Sequence, residues 1–308
     1  MLKYIIKRLL AMIPVLLGVI LVVFLIMSMT NGDAATIILG ETASEEALEA
    51  VREEWGLNDP LPVQYVRYIF NLCRGDFGTS YRTGKAVADE IFTNRFPATL
   101  RLAVAALVFS LILALPLGIF AAIKQNTWFD TISMVISLIG NSMPAFWLAL
   151  LAILLFSVTL GWFPATGAEG FKSLILPALT LGFMHMAAIA RTTRSSMLET
   201  VRQDYIRTAR SKGVSKMDTI MNHALRNAMI PTLTVIGIQV GSLLGGAVLT
   251  ETVFSWPGMG RYLVLSIQGR DTPAVLGCIV VFTVCFSLVN LFVDILYGFV
   301  DPRINARN

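Results

Sequence analysis

Charged and reactive side chains are scarce in this sequence of 308 residues. Asp, Glu, Lys and Arg make up only 14% of it, against about 25% in typical soluble domains. Its three cysteines, at positions 73, 278 and 285, are too few and too scattered for a disulfide framework. Its two histidines, His185 and His223, do not have the short spacing of metal ligands. The sequence therefore predicts neither a disulfide scaffold nor a metal site.

The motifs of common catalytic and nucleotide-binding sites are also missing. No G-x-S-x-G nucleophile elbow occurs. The pair Gly84-Lys85 is followed by Ala86, so it does not continue as a phosphate-binding loop of the G-K-[ST] type. We therefore expect no catalytic residue and no bound cofactor in this chain, which is predicted not to be an enzyme.

Apolar residues, in contrast, are abundant. They make up 56% of the chain, and the mean hydropathy is +0.71. Residues 9–29 form an apolar run longer than the roughly 18 residues that mark a membrane-spanning helix. Five similar segments follow, at about 98–123, 131–160, 173–190, 229–250 and 274–299. The predicted fold class is an all-α integral membrane protein with six transmembrane helices.

The positions of the basic residues predict the orientation of these spans. With six spans both termini lie on one side, and that side carries 14 of the 24 Lys and Arg residues, eight of them between the fourth and fifth spans. Positive residues favour the cytoplasmic side. We therefore expect a multi-pass protein of a bacterial or archaeal plasma membrane with both termini in the cytoplasm. The net charge of +4 follows from this bias and does not indicate nucleic-acid binding.

The spans divide the chain into four parts. Residues 1–29 are predicted to form an amphipathic elbow at the membrane surface and then the first span. Residues 30–96 form a long extracytoplasmic loop, residues 97–300 a five-helix core with a cytoplasmic connection at 191–228, and residues 301–308 a cytoplasmic tail.

The long outer loop predicts two short helices. In the first, Thr42 is the expected N-cap, with Glu45 three residues on, and Gly56 ends the helix. The second runs from about residue 63 to 72. The loop has 11 acidic and six basic residues, which indicates either an ordinary solvated surface or a docking surface for an external protein.

Two spans contain candidate residues for a helix interface or a translocation path. Asn141 and Pro144 interrupt the third span, and backbone groups freed there are tolerated only against protein or water, so we expect them to face inward. The fifth span has glycines every fourth residue, which permits close helix packing, a subunit interface or a substrate path. The candidates in and after this span are Gly237, Gln239, Gly241, Gly245 and Glu251.

The segment ETVFSWPGMGRY after the fifth span is too short and too rich in glycine and proline to cross the membrane. We expect it to fold back at the outer surface as a reentrant loop. Its marker residues are Phe254, Pro257, Gly258 and Gly260.

The cytoplasmic connection contains a short helix with a narrow apolar ridge. Tyr205, Ile206 and Ala209 form the ridge, and the cations that flank it are Arg207, Arg210 and Lys212. A helix that lies flat on a bilayer needs a broader apolar face, so this ridge is more typical of a helix that binds in a protein groove.

This connection, DYIRTARSKGVSKMDTIMNHALRNAMIP, resembles the cytoplasmic loop of ABC importer permeases, whose pattern is E-A-A, three residues, then G. The pattern aligns with Arg207, Thr208, Ala209 and Gly213. Arg207 and Thr208 stand in place of its first two letters, E and A. Further blocks resemble the dipeptide, oligopeptide and nickel permease family, and together they cover nearly the whole chain. They are LPVQYVRYIFNLCRGDFGTS, ARTTRSSMLE, HALRNAMIPTLTVIG, GGAVLTETVFSWPGMGRYL and NLFVDILYGFVDPRI.

The resemblance implies that this chain is the first, large-loop permease of a heterodimer. The other partners would be a homologous permease, two cytoplasmic ATPase subunits that bind ATP and Mg²⁺, and an external substrate-binding protein. Residues 205–213 would form the coupling helix that enters a cleft of one ATPase, where Ala209 permits close docking and Gly213 a sharp turn. Peptides are the first choice of substrate, and nickel chelates, metallophores and glutathione are alternatives. A proton-coupled carrier that uses Asp294 is the weaker hypothesis.

Overall fold

A computed structural model of the chain describes residues 2–29, 34–40 and 43–300. These residues are almost entirely helical and contain no strand, with one isolated antiparallel bridge between Thr79 and Ala86. The helices, numbered in chain order, are α1 (Leu2–Met29), α2 (Ala34–Leu39), α3 (Glu45–Glu54), α4 (Leu61–Cys73), α5 (Val87–Ile123), α6 (Trp128–Ser142), α7 (Ala145–Thr159), α8 (Gly170–Val201), α9 (Asp204–Ser211), α10 (Lys216–Val253), α11 (Met259–Gln268) and α12 (Thr272–Val300). The predicted all-α class is confirmed.

Five of these helices, α1, α5, α8, α10 and α12, are long and apolar enough to cross a membrane, and the bent pair of α6 and α7 makes a sixth span if it is counted as one. The predicted third span is therefore not a straight helix, since α6 and α7 meet at 109°. Met143, at the break, has an extended ψ of 131°, and Pro144 follows it. A proline disfavours the helical conformation of the preceding residue and has no N–H to donate, which explains the break at this position.

The first span begins earlier than predicted. α1 is one continuous helix from Leu2 to Met29, with Pro14 inside it. The expected amphipathic elbow is thus not a separate element, because its residues continue directly into the apolar run.

The outer loop contains the two expected helices. Ser44 caps α3, and its hydroxyl accepts a hydrogen bond from the backbone N–H of Ala47 at 3.3 Å. Ser44 thus takes the role expected of Thr42, which lies outside the described residues. Gly56 follows α3 with φ of +65°, a conformation that glycine adopts without strain. α4 lies against α1, where the Tyr65 hydroxyl donates to the Leu17 carbonyl at 3.0 Å.

The described chain forms two compact units, of which the first comprises residues up to 99 and residues 257–287. A buried apolar cluster of this unit includes Val87 and Ile91 of α5, Met259 of α11 and Val275 of α12. Asp271, 1% exposed, precedes α12 and accepts hydrogen bonds from the Ser80 hydroxyl at 2.5 Å and the Tyr81 N–H at 3.1 Å. This buried carboxylate therefore ties the turn around residue 80 to the start of α12.

The second unit comprises residues 100–256 and residues from 288 onward. Its central helix is α8, which packs along α10 and α6. Glycines permit the closest contacts: a Cβ on Gly182 of α8 would lie 2.6 Å from the Ala106 carbonyl oxygen of α5. Likewise, a Cβ on Gly118 of α5 would lie 2.7 Å from the Ala190 carbonyl oxygen. Small residues therefore set the helix spacing in this unit.

Candidate coupling helix and translocation path

The connection at residues 191–228, predicted to be cytoplasmic, contains α9, whose one buried residue is Ile206. The Ile206 side chain is fully buried among Met197 at the end of α8 and Ile220 and Ala224 at the start of α10. The expected ridge is therefore divided, because Ile206 faces its own chain and not a partner. Burying one isoleucine contributes about 1.5–3 kcal/mol, so Ile206 anchors α9 to the ends of α8 and α10.

The outer face of α9 is polar and exposed. Tyr205 is 44% exposed, and Arg207, Thr208 and Arg210 are exposed as well. Arg207 lies 3.9 Å from Asp204, but both side chains are at least 80% exposed, so this ion pair holds the guanidinium only weakly. Ala209 is half-buried. The face thus presents two arginines and a tyrosine to a partner.

Gly213 ends the α9 segment with φ of +79°. A Cβ at this position would meet nothing within 4 Å, so the conformation, and not crowding, favours glycine. The Gly213 N–H donates to the Arg210 carbonyl at 3.0 Å, and the Val214 N–H to the Ala209 carbonyl at 3.3 Å. The chain turns here, and Ser215 caps the start of α10 by accepting from the Asp218 N–H at 3.1 Å.

An ion pair joins α8 to α6, with the Asp130 side chain buried and the Arg194 side chain 24% exposed. Arg194 donates from Nε to Asp130 Oδ1 at 2.5 Å and from Nη2 to Oδ2 at 2.7 Å, and the Asn126 N–H donates to Oδ2 at 3.0 Å. Two parallel charge-assisted hydrogen bonds fix the orientation of the Arg194 guanidinium relative to the Asp130 carboxylate as well as the distance between them. Sequence reasoning missed this pair, because two residues 64 positions apart share no local pattern.

The glycines of the stripe on α10 differ in burial and in their contacts along the helix. A Cβ on Gly237 would lie 2.8 Å from the Val293 side chain, and Gly241 is also buried. Gly245 is exposed, with nothing within 4 Å of its Cβ position. The first part of the stripe therefore serves packing within the chain, and the last part leaves an open surface.

A polar cluster lies beside this open surface. The Nδ1 atom of His185 on α8 is 2.6 Å from Oε1 of Gln239 on α10, and the Ser242 hydroxyl is 3.4 Å from the same nitrogen. His185 is 9% exposed, and Gln239 is half-buried. Sequence reasoning assigned no role to His185, since only the packing of α8 on α10 brings it to Gln239.

The other path candidates have varied surroundings. Asn141 and Pro144 are exposed on this chain, and their expected place on an inward face that meets protein or water stays a prediction. Glu251 is fully buried, and its carbonyl accepts from the Trp256 N–H at 2.8 Å.

The segment after α10, which is predicted to fold back at the outer surface, is not helical between Val253 and Met259. Phe254, 1% exposed, packs against Ala149 and Leu176 and anchors the turn. Pro257 is half-buried, Gly258 and Gly260 are buried, and they lead into α11, which has ten residues. Ten helical residues span about 15 Å, half the hydrocarbon thickness.

Within residues 2–29, 34–40 and 43–300, no group of three or more His, Cys, Asp or Glu side chains could hold a metal ion.

Comparison with known proteins agrees with this arrangement. Residues 114–306 match the family described as binding-protein-dependent transport system inner membrane component. Residues 1–103 match the N-terminal domain that accompanies it. The chain is 47% identical to the dipeptide transport system permease protein DppB of Alkalihalophilus pseudofirmus, with 99% of both chains covered. It is also 47% identical to the glutathione transport system permease protein GsiC of Escherichia coli K12, with 100% of both covered.

Among solved structures, an amino acid ABC transporter crystallised with histidines is similar in fold. The match has a TM-score of 0.51 at 14% identity and covers 66% of this chain and 90% of the other. The two family matches and the full-length relatives show that the chain belongs to the family of inner membrane components of binding-protein-dependent transport systems, and that it is a multi-pass transport permease.

Proposed function

We propose that this chain is one of two homologous permeases of an ATP-driven importer that takes up peptides delivered by an external binding protein. The observation that carries the proposal is α9, a short exposed cationic helix fixed to the ends of two membrane helices by Ile206. A helix of this kind gives a cytoplasmic partner a surface to hold. Two ATPase subunits, which bind ATP and Mg²⁺, are the proposed partners, and both termini of the permease are proposed to be cytoplasmic.

In this proposal α9 transmits movement. Closure of an ATPase on Tyr205 and Arg210 displaces α9, and the buried Ile206 side chain transfers the displacement to α8 and α10. The Asp130–Arg194 pair carries it on to α6 through hydrogen bonds of fixed direction. Packed helices respond as rigid elements because the interior between them cannot be compressed.

Peptides are the proposed cargo because the full-length relatives are named for a dipeptide and for glutathione, which is itself a peptide. Glutathione is thus the second candidate, supported by the same degree of identity. The proposed role requires no catalytic group in this chain, since ATP hydrolysis takes place in the partner subunits.

The test is uptake into vesicles that contain both permeases, both ATPase subunits and the binding protein. Labelled alanyl-alanine or glutathione is supplied on the binding-protein side and ATP on the other, with and without an uncoupler. We expect uptake that requires ATP and persists with the uncoupler. Asp294→Asn, which removes the carboxylate a proton-coupled carrier would use, should reduce uptake only partly. Uptake that follows the proton gradient and ignores ATP would refute the proposal.

A further inference from the structure

The polar cluster of His185, Gln239 and Ser242 lies where α8 packs on α10. An amide oxygen accepts hydrogen bonds and does not donate them, so His185 Nδ1 carries the proton in its 2.6 Å contact with Gln239 Oε1. In the neutral imidazole that this contact selects, Nε2 is therefore an acceptor. The Ser242 hydroxyl donates to the Gln239 main-chain carbonyl at 3.0 Å, which holds its oxygen 3.4 Å from His185 Nδ1.

Two groups of the cluster have no hydrogen-bond partner among the described residues, namely His185 Nε2 and the amide nitrogen of Gln239. His185 is nine-tenths buried, and its Nε2 points toward Gly246, where a Cβ would lie 3.8 Å away. The adjacent Gly245 has open space at its Cβ position. Unpartnered polar groups in hydrocarbon cost several kcal/mol each, so this surface must face water or a ligand.

One acceptor and one donor on the same surface complement the main chain of a peptide. In an extended peptide the N–H and C=O of one residue point to the same side, as they do when strands pair. The missing side chain at Gly245, whose Cβ position has nothing within 4 Å, leaves room for a second backbone to approach α10 beside the cluster.

We propose that His185 and Gln239 form a main-chain binding site for the translocated peptide. The peptide N–H donates to His185 Nε2, and a carbonyl or terminal carboxylate oxygen accepts from the Gln239 amide. Such a site contacts only the peptide main chain, so it can bind peptides of different sequence. The external binding protein then determines which peptides are delivered. This inference rests on the proposed function, because it requires that peptides pass this surface.

The test combines a substituted residue with a substituted substrate in the reconstituted five-protein complex. His185→Phe removes the acceptor and keeps a planar ring of similar size. The substrates are alanyl-alanine or glutathione, whichever the wild-type complex takes up, and its ester analogue, in which oxygen replaces the peptide N–H. Because all complexes contain the same binding protein, its own preference cancels when ratios of uptake rates are compared.

We expect the ratio of amide to ester uptake to be about 3- to 10-fold lower with His185→Phe than with wild type, the range that one hydrogen bond supplies. Thr234→Val is the matched control on α10. It removes a hydroxyl that donates to the Ile230 carbonyl at 3.2 Å, and it should keep the wild-type ratio. An equal ratio in wild type and His185→Phe would overturn the inference and leave the proposed function intact.

Gln239→Leu provides a second measurement that does not depend on the stability of the His185 variant. We expect peptide uptake to fall about 3- to 10-fold, with the complex still assembled. Unchanged peptide uptake would contradict the site. A wild-type complex that takes up neither alanyl-alanine nor glutathione with ATP would overturn the proposed function, and this inference with it.

Discussion

At the scale of single residues, Gly213 shows how one dihedral angle positions a functional element. Its φ of +79° turns the chain from α9 into α10, and its Cβ position is empty. A β-branched residue in this conformation is strained by about 1–2 kcal/mol, whereas asparagine visits the left-handed region more readily. Replacing Gly213 with valine and with asparagine therefore separates the effect of the backbone angle from the effect of added side-chain volume.

Gly213→Val should misplace α9 and sharply reduce both uptake and substrate-stimulated ATP hydrolysis in the reconstituted complex, with the permease still inserted. Gly213→Asn, the matched control, should retain most of both activities because it tolerates the same φ. Wild-type uptake and hydrolysis by Gly213→Val would show that this turn does not position a coupling helix.

At the scale of helices, close packing in the second unit depends on glycines outside the stripe on α10 as well as on Gly237 within it. Gly182 on α8 lies so close to α5 that a Cβ would be 2.6 Å from the Ala106 carbonyl oxygen and 2.9 Å from the Phe109 ring. No rotamer change relieves a clash with a backbone oxygen, so the helices themselves have to separate. Overpacking of this kind costs about 1–3 kcal/mol.

Gly182→Ala should therefore lower the thermal unfolding midpoint of the purified complex in detergent. Gly18→Ala is the control on α1, since nothing lies within 4 Å of its Cβ position. It should leave the midpoint unchanged or slightly higher. Equal midpoints for the two variants would show that α5 and α8 are farther apart than described.

At the scale of the whole molecule, orientation in the membrane is the main prediction. The described helices give five spans, or six with the bent pair of α6 and α7, and only an even number places both termini on one side. Cys73 at the end of α4 is exposed, whereas Cys278 within α12 is buried, so the native cysteines already distinguish the outer loop from the membrane.

A membrane-impermeant maleimide should label Cys73 in intact spheroplasts, and Cys73→Ser should abolish this labelling. Ser211→Cys in the Cys73→Ser background places a thiol at the exposed end of α9, where labelling should appear only after permeabilisation. Labelling of Ser211→Cys in intact spheroplasts would reverse the proposed orientation of the cytoplasmic connection.

Composition and periodicity determined the class and most of the helices of this protein. Long apolar runs have no stable state in water and must form helices in a membrane, so the spans follow from local sequence. The turn at Gly213, the break at Pro144 and the end of α3 at Gly56 are also local, because one residue restricts its own backbone or that of a direct neighbour.

Tertiary structure alone decided which side of a helix meets which neighbour. Ile206 was expected on an outer ridge but packs inside, because α8 and α10 end on either side of it. The pairs Asp130–Arg194 and His185–Gln239 join residues 64 and 54 positions apart, and no local pattern encodes such a meeting. The sequence determines which groups need partners, because charges and unpaired hydrogen-bonding groups are costly in hydrocarbon. The packing of the helices determines which residues those partners are.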